Sequence, residues 1–224
     1  MSNPMLAMDF EQARFNMVEQ QIRPWDVLDP VVLDLMMSIK REDFVPAAYR
    51  AIAFADVEVP LAAGAKMWPP RVEARILQEL VLRKNDRVLE IGTGSGFFAA
   101  LMGRLAAEVV SVEIDRGLAE SAKKTLQKNE VSNVSVEIGD GAKGLPARAP
   151  FDVIVVTGAV AAVPAELLKQ LKVGGRLAAI VGEAPLMNAQ LITQLAEGVF
   201  STVNLFETAA DPLKNVKAAP VFEF

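Results

Sequence analysis

The residues best suited to bind a small molecule lie in a glycine-rich run near the middle of the chain. A short apolar segment, Val88–Ile91, contains the acid Glu90 and leads into the sequence Gly-Thr-Gly-Ser-Gly at positions 92–96. Because glycine has no side chain, it lets the backbone turn sharply and lets a ligand lie directly against it. A helix-forming segment follows. The pattern predicts a strand, a cofactor-binding loop and a helix.

Two further acids follow apolar segments at positions that suit a nucleoside. The run Val109–Val112 ends in Glu113, and Asp140 stands between two glycines after a third apolar run. A carboxylate at the tip of the second strand can accept hydrogen bonds from both hydroxyls of a ribose. An aspartate after the third strand can accept from the amino group of an adenine. The spacing therefore predicts a cofactor that contains adenosine.

The composition of the 224 residues excludes several kinds of chemistry. The chain has no cysteine and no histidine, which excludes thiol nucleophiles, disulfides, Ser-His-Asp triads and imidazole bases. We expect no metal site. The net charge is −5 and no basic run is present, so we expect neither a nucleic-acid nor a membrane partner. No signal-peptide pattern follows Met1, so we expect a cytoplasmic protein.

The order of the predicted elements changes near residue 85. Before it, apolar spacing and prolines predict a helical extension, with helices at 10–22, 30–39 and 71–81 and a short strand at 57–61. After it, strands alternate with helices, which predicts a parallel sheet covered on both faces. The strands are expected at 87–91, 108–113, 133–137, 151–157, 175–181, 190–195 and 200–206, and the helices at 96–106, 116–128 and 164–171. We therefore divide the chain into an extension, 1–84, and a core, 85–224.

The last two predicted strands end the sheet in a distinctive way. They flank Glu197 and Gly198, a pair that favours a β-hairpin turn. Five parallel strands closed by a hairpin are typical of the class I methyltransferase sheet rather than of a plain dinucleotide-binding fold. The predicted fold class is therefore α/β: a Rossmann-like, doubly wound sheet with a C-terminal antiparallel hairpin and a helical N-terminal extension.

The glycine run alone fits either a dinucleotide or S-adenosylmethionine, since Gly94, Gly96 and Ala99 also match a relaxed dinucleotide pattern. The acids favour the second cofactor. Glu90 beside the loop would attract a positively charged ligand and repel a pyrophosphate. A sulfonium suits a site with three acids, and the hairpin also disfavours a dinucleotide fold. We predict S-adenosylmethionine and keep a nicotinamide-dependent oxidoreductase as the alternative.

Several segments occur in an order and spacing that is specific, although each is modest alone. They are 17–23, 40–46, 88–96, 112–113, 139–141, 149–157 and 168–177. In these segments the chain resembles the protein-L-isoaspartate O-methyltransferase family, from about Met17 almost to its end. The resemblance implies a class I methyltransferase with S-adenosyl-L-methionine as cofactor. It also implies an isoaspartyl-containing protein or peptide as partner, methylated on a carboxylate by direct displacement.

The resemblance assigns roles on the cofactor side, where the family pattern is intact. Glu113 would hold the ribose, Asp140 the adenine, and the loop from Glu90 to Gly96 the methionine portion. The predicted cofactor-binding residues are Glu90, Gly92, Thr93, Gly94, Ser95, Gly96, Glu113, Ile114, Asp140, Gly141 and Thr157.

The chain departs from the family on the acceptor side, in the loop at 64–70. Where the family has a threonine and a serine that contacts the isoaspartyl carboxylate, this chain has Lys66 and Trp68. We predict that both are catalytic residues in this substrate-side loop. The Lys66 ammonium would attract an acceptor carboxylate, or be a solvated turn residue. Trp68 would cover the cofactor pocket, or contact a different acceptor.

These departures leave two alternatives open. One is a methyltransferase with a small-molecule acceptor, and the other is a protein that binds S-adenosylmethionine without turnover. The family's C-terminal Arg-Phe-Val-Pro element is also missing. We expect a monomer or a homodimer, in which the aromatic tail at 222–224 closes a sheet edge or packs on another subunit.

Overall fold

The structure, a computed structural model, describes residues 9–216. The Asp9 carboxylate accepts hydrogen bonds from two backbone amides of the first turn and so begins helix α1, Phe10–Met17. The helix continues as a wider turn over Val18–Ile22 and ends in the turn Arg23–Trp25, which contains a proline. The predicted helix at 10–22 is confirmed with this change of pitch. The tail at 222–224 lies outside the described residues.

The rest of the extension surrounds a small two-stranded ribbon. Helix α2, Pro30–Ser38, begins after Asp29, whose carboxylate accepts a hydrogen bond from the Val31 amide. Strand β1, Val59–Pro60, pairs antiparallel with β2, Lys66–Met67, and helix α3 follows at Pro70–Leu80. The ribbon brings the two ends of the loop at 61–65 together. The predicted strand at 57–61 is confirmed in its position, but the observed strand β1 is shorter than predicted.

A seven-stranded sheet forms the core of the molecule. Its strands are β3 Arg87–Ile91, β4 Glu108–Glu113, β5 Val134–Ile138, β6 Phe151–Val160, β7 Leu171–Glu183, β8 Leu186–Ala196 and β9 Val199–Glu207. They lie in the order β5-β4-β3-β6-β7-β8-β9. The first five in the chain are parallel, and β8 and β9 are antiparallel to their neighbours. The predicted arrangement of five parallel strands closed by a hairpin is confirmed.

The helices of the core begin where the parallel strands end. They are α4 Phe97–Leu105, α5 Arg116–Lys128 and α6 Ala165–Leu168. The predicted helix at 164–171 is longer than α6, because the chain already pairs with β6 at Leu171. The predicted hairpin turn at Glu197-Gly198 joins β8 to β9. Strand β8 also forms a hairpin with β7, so the sheet ends in a three-stranded meander.

Apolar residues cover both faces of the sheet. On β3, Val88 belongs to one buried cluster and the adjacent Leu89 to the other, because neighbouring side chains of a strand point to opposite faces. The Val88 cluster also contains Met17 and Met36 of the extension. The extension and the core thus share packing, and the division at residue 84 stays a prediction. None of the described helices is long and apolar enough to cross a membrane.

A buried arginine connects the extension to the core. Arg41 is fully buried and forms an ion pair with Glu73 of α3. It donates hydrogen bonds to the carbonyls of Ala53 (2.9 Å) and Trp68 (2.6 Å). Its guanidinium also lies 4.8 Å from the ring centre of Phe97, the first residue of α4. One side chain therefore fixes the loop before α3 relative to the helix that follows the glycine run.

Candidate functional site

The glycine loop is fixed by a threonine from the neighbouring strand. Gly92 follows β3 with a φ of +95°, and a Cβ atom there would lie 2.2 Å from the Thr157 hydroxyl oxygen. That hydroxyl contacts the carbonyls of Ile91 (2.9 Å) and Gly92 (2.8 Å). Any other residue at position 92 would displace this contact and strain the backbone. The sequence thus forms a bare loop because β6 places a polar side chain directly against it.

Glu90 lies beneath this loop in a network of buried polar groups. Its Oε2 atom accepts a hydrogen bond from Ser111 (2.5 Å), and the Ser111 hydroxyl also contacts the Thr93 hydroxyl (2.5 Å). Its Oε1 atom is buried and has no partner within residues 9–216. Burial raises the pKa of Glu90 to about 8, and the nearby carboxylates of Glu113 and Glu73 add to the rise. A buried acceptor without a partner fits a ligand that brings a donor or a positive charge.

Glu113 ends β4 and holds the glycine loop from the other side. Its Oε2 atom accepts from the Gly94 amide (2.9 Å) and its Oε1 atom from the Asp115 amide (3.0 Å). Each carboxylate oxygen has room for a second hydrogen bond, so both can still accept from the two hydroxyls of a ribose. Ile114, the next residue, is partly exposed and lines a cavity at this edge of the sheet.

Asp140 follows β5 and is the most exposed of the three acids. Its carboxylate accepts from the Ala142 amide (3.0 Å) and from the side-chain amide of Asn215 (3.0 Å). At the adjacent Gly141, a Cβ atom would lie 2.7 Å from the Ile91 side chain, so the turn can pass close to β3 only with glycine. Asp140 is thereby held at the carboxyl edge of the sheet, as the other two acids are.

The structure brings these residues together around one cavity of about 300 Å³. Of the predicted site residues, only Gly96 does not line it. Gly96 instead turns the chain into α4 with a φ of +83° and faces Ala122 and Leu126 of α5. The predicted residues that line the cavity are Lys66, Trp68, Glu90, Gly92, Thr93, Gly94, Ser95, Glu113, Ile114, Asp140, Gly141 and Thr157.

A segment near the C-terminus crosses the cavity and was not predicted from the sequence. We name residues 211–215 the strap. The Ala159 amide donates to the Asp211 carbonyl (2.8 Å), and the Leu213 amide donates to the Ala159 carbonyl (2.8 Å). Gly158 lies so close to the strap that a Cβ atom there would be 2.7 Å from the Leu213 backbone. The sequence of the strap has neither helical nor strand periodicity, which is why it was not predicted. Gly158 is a local signal, because a glycine can indicate that another part of the backbone approaches closely.

Lys66 connects the loop at 64–70 to the strap. We call this loop the acceptor loop, after its predicted role. Its ammonium forms ion pairs with Asp211 of the strap and with Glu58 beside β1, both at 3.0 Å. The hydrogen bonds to Asp211 and Glu58 raise the pKa of Lys66. Glu58 and Asp211 also line the cavity and were not predicted. The Lys66 ammonium is therefore shared between two carboxylates at the cavity mouth.

Trp68 forms part of the cavity wall. Its side chain is buried and packs against Phe98, with 5.8 Å between the ring centres. Its carbonyl accepts from Arg41, which fixes the backbone at this position. Trp68 was predicted either to cover the cofactor pocket or to contact a different acceptor. Its packing supports the first of these roles.

Glu90 makes folding stability depend on pH in a defined direction. Between its ordinary pKa of 4.5 and about 8, the folded protein binds a proton at Glu90 that the unfolded chain does not. Stability from this group is therefore present at low pH and is lost as pH rises through that window. We expect urea unfolding of the wild-type protein to lose more stability between about pH 5 and pH 8 than Glu90→Gln. Parallel stability profiles would contradict the assignment.

Glu113 is predicted to dominate cofactor affinity. Glu113→Ala removes the ribose acceptor and also frees the Gly94 amide, so we expect at least about tenfold weaker binding of S-adenosylhomocysteine by calorimetry. Glu108→Ala is the matched control, because Glu108 lies at the opposite end of the same strand. Near wild-type affinity in Glu113→Ala, or an equal loss in the control, would refute the role.

Comparison with known proteins identifies relatives over most of the chain. The model of the protein-L-isoaspartate(D-aspartate) O-methyltransferase (PCMT) family matches residues 12–215. A Methanoculleus marisnigri protein-L-isoaspartate O-methyltransferase is 44% identical over 169 residues, which cover 75% of this chain and 77% of that protein. A Rhodopseudomonas palustris protein of the same name is 40% identical over 198 residues, with coverages of 88% and 91%.

Solved structures show the same architecture. One protein-L-isoaspartate O-methyltransferase superposes with a TM-score of 0.76 at 29% identity, over 89% of this chain and 65% of that chain. A Plasmodium falciparum structure, solved in complex with S-adenosyl-L-homocysteine, has a TM-score of 0.77 at 19% identity, over 93% and 99%. The second likeness shows the fold alone.

These findings confirm the predicted class I methyltransferase fold and the family resemblance. Membership of a methyltransferase family agrees with S-adenosylmethionine, the predicted cofactor. The findings do not favour the alternatives of a small-molecule acceptor, of binding without turnover or of a nicotinamide cofactor. The family model spans the glycine loop, all three acids and the strap. The chain belongs to the protein-L-isoaspartate(D-aspartate) O-methyltransferase family.

Proposed function

We propose that the chain transfers the methyl group of S-adenosylmethionine to the free α-carboxylate of an isoaspartyl residue in a protein or peptide. The observation that carries this proposal is the family match over residues 12–215, which contains the whole cavity. The polar groups of the cavity agree with it. The Oε1 atom of Glu90, which has no hydrogen-bond partner among residues 9–216, suits a ligand with a cationic group.

We assign the cofactor contacts to the carboxyl edge of the sheet. Glu113 holds the ribose hydroxyls, with Ile114 beside them, and Asp140 and Gly141 receive the adenine. The glycine loop and Glu90 surround the methionine portion, and Thr157 keeps the loop in shape. When bound, the cofactor supplies an electrophilic methyl group on a positively charged sulfur.

The reaction needs little from the protein beyond alignment. An acceptor carboxylate is already ionised near neutral pH, so no general base is required, in agreement with the absence of histidine. The protein contributes orientation of the two reactants and exclusion of water. The strap and Trp68 both line the cavity, so they can serve both purposes.

The replacement of the family serine is compatible with this activity. One hydrogen bond to a charged group contributes about 1.5–3 kcal/mol, which is about one to two decades in rate. We propose that Trp68 excludes water in place of the serine. We propose that Lys66 orders the acceptor loop and places positive charge near the entering carboxylate.

The setting of the reaction is also a proposal. We propose a cytoplasmic protein that acts as a monomer or a homodimer on isoaspartyl proteins or peptides, with neither nucleic acid nor membrane as a partner. The composition is consistent with this, since the chain carries a net charge of −5 and no basic run.

The direct test is transfer of labelled methyl from S-adenosylmethionine to an isoaspartyl peptide, beside the same peptide with a normal aspartyl residue. We expect label in the isoaspartyl peptide only, because the site must distinguish the two backbones. The label should be released by mild base, as expected for a methyl ester. Folded protein that labels neither peptide, or both equally, would overturn the proposed function.

Lys66 is predicted to act on the acceptor rather than on the cofactor. We expect Lys66→Ala to raise the KM for the isoaspartyl peptide severalfold and to leave the affinity for S-adenosylhomocysteine unchanged. Lys66→Arg keeps the positive charge, so we expect its KM for the isoaspartyl peptide to stay close to the wild-type value. Lys123→Ala is the matched control, because Lys123 is 40% exposed like Lys66 and pairs with one carboxylate away from the cavity. An unchanged KM in Lys66→Ala would remove this role.

A further inference from the structure

Lys66 is a positive group on the acceptor side of a cavity that is mostly acidic. Six acids line this cavity together with two lysines: Glu58, Glu73, Glu90, Glu113, Asp140 and Asp211, with Lys66 and Lys214. The Lys214 ammonium donates to the Ala63 carbonyl (3.5 Å). The Lys66 ammonium, by contrast, lies 3.0 Å from both Glu58 and Asp211. An acceptor carboxylate that approaches Lys66 therefore meets a cation to which two carboxylates are already bound.

Of the two resident carboxylates, that of Asp211 is the one that can leave. Three carboxylates around one ammonium would leave two negative charges unbalanced, so one resident carboxylate must move when an acceptor binds. The side chain of Asp211 is 51% exposed, against 32% for Glu58. The backbone of Asp211 is held separately, because its carbonyl accepts from the Ala159 amide (2.8 Å). The Asp211 carboxylate can therefore rotate into water while the strap stays in place.

We propose that Asp211 is an internal competitor of the acceptor. Its carboxylate binds Lys66 in the free protein and gives way to the acceptor carboxylate when an isoaspartyl residue enters. This inference rests on the proposed function, in which Lys66 acts on the acceptor. Glu58 stays paired with Lys66 and keeps the ammonium at the cavity mouth. Because one carboxylate replaces another, the charge around Lys66 is the same before and after the exchange.

The exchange costs little free energy, because both partners of the resident pair face water. The side chain of Lys66 is 40% exposed and that of Asp211 is 51% exposed. Ion pairs between such groups are weak, since water solvates the separated charges. Ser95 also lines the cavity, but its hydroxyl is neutral and cannot take the place of the ammonium. A neutral acceptor has no charge to exchange with Asp211, so the resident pair favours acceptors that carry a carboxylate.

The decisive measurement is the Kd of the isoaspartyl peptide for the complex of the protein with S-adenosylhomocysteine. Calorimetry at about 0.15 M salt is suitable, because distant charges are then screened. We expect Asp211→Asn to lower this Kd about two- to fivefold, because asparagine keeps the size of the side chain but no longer holds Lys66 by its charge. If Asp211 instead supported the acceptor loop, the same substitution would raise the Kd. The sign of the change separates a competitor from a support.

Two further variants separate the exchange from a simple loss of negative charge. Glu120→Gln is the matched control, because the side chain of Glu120 is 49% exposed, pairs with Lys123 and does not line the cavity. It should leave the peptide Kd at the wild-type value. In Lys66→Ala protein, Asp211→Asn should have little effect on the Kd, because no ammonium remains to be released. If half or more of the logarithmic decrease persisted there, loss of charge alone would explain it and the proposal would be wrong.

An unchanged or raised Kd in Asp211→Asn would overturn this proposal and leave the proposed function in place. An unchanged Kd is the result expected if Lys214 alone held the acceptor. Binding of S-adenosylhomocysteine first shows that each variant is folded. Absence of methyl transfer by the wild-type protein to the isoaspartyl peptide would instead overturn the proposed function, and this inference with it.

A measurement on the wild-type protein covers the case in which the variants do not fold. In protein with isotope-labelled aspartate, the carboxyl carbon of Asp211 gives an NMR signal that reports its ion pair. Addition of the isoaspartyl peptide to the S-adenosylhomocysteine complex should shift this signal. The same peptide with its free carboxylate converted to an amide should leave the signal unchanged. A signal that does not respond to saturating isoaspartyl peptide would refute the exchange.

Discussion

The buried guanidinium of Arg41 is the constraint on which the two sides of the site depend. A charge removed from water must be paired and hydrogen-bonded, and Arg41 meets this requirement through Glu73 and the carbonyls of Ala53 and Trp68. Breaking such a pair costs about 3–5 kcal/mol, so these groups are held strongly in place. Because Arg41 also contacts Phe97, the acceptor loop and the helix after the glycine loop share one support.

The cofactor side follows a different principle, in which carboxylates are oriented by backbone amides. Glu113 accepts from the amides of Gly94 and Asp115, and Asp140 accepts from the amide of Ala142, so their positions are set before any ligand arrives. Glu90 is buried, and among residues 9–216 its carboxyl group accepts only from the Ser111 hydroxyl, so burial raises its pKa. Glu113 and Asp140 are therefore suited to neutral hydroxyl and amino groups, whereas Glu90 responds to positive charge.

Local sequence patterns were sufficient for the sheet, and most of the residues that they predicted for the cofactor lie around one cavity. Glycines and acids at the ends of apolar segments identify residues such as Gly92 and Glu113, because parallel strands end at the same edge. The same patterns could not identify the strap, since Asp211 meets Lys66 across 145 positions of sequence. Glu73 was missed for a related reason: on a helix its charge suggests an exposed position, and only the pairing with Arg41 makes its burial possible. The predicted length of α6 was wrong, because the strand pairing of Leu171 with β6 overrides the helical spacing of this segment.

A carboxylate acceptor must enter a cavity lined with acids, and the structure shows why this is electrostatically tolerable. Glu58 and Asp211 share the ammonium of Lys66, and Glu73 is paired with Arg41. Burial raises the pKa of Glu90 to about 8, and a bound cation would lower it again, so the negative charge of Glu90 develops when the sulfonium is present. These groups offset half of the negative charge that the six acids lining the cavity would carry, and a bound sulfonium offsets one charge more. Trp68 adds no charge to this balance, whereas the Lys66 ammonium lowers the negative charge of Glu58 and Asp211 at the place where the acceptor would enter.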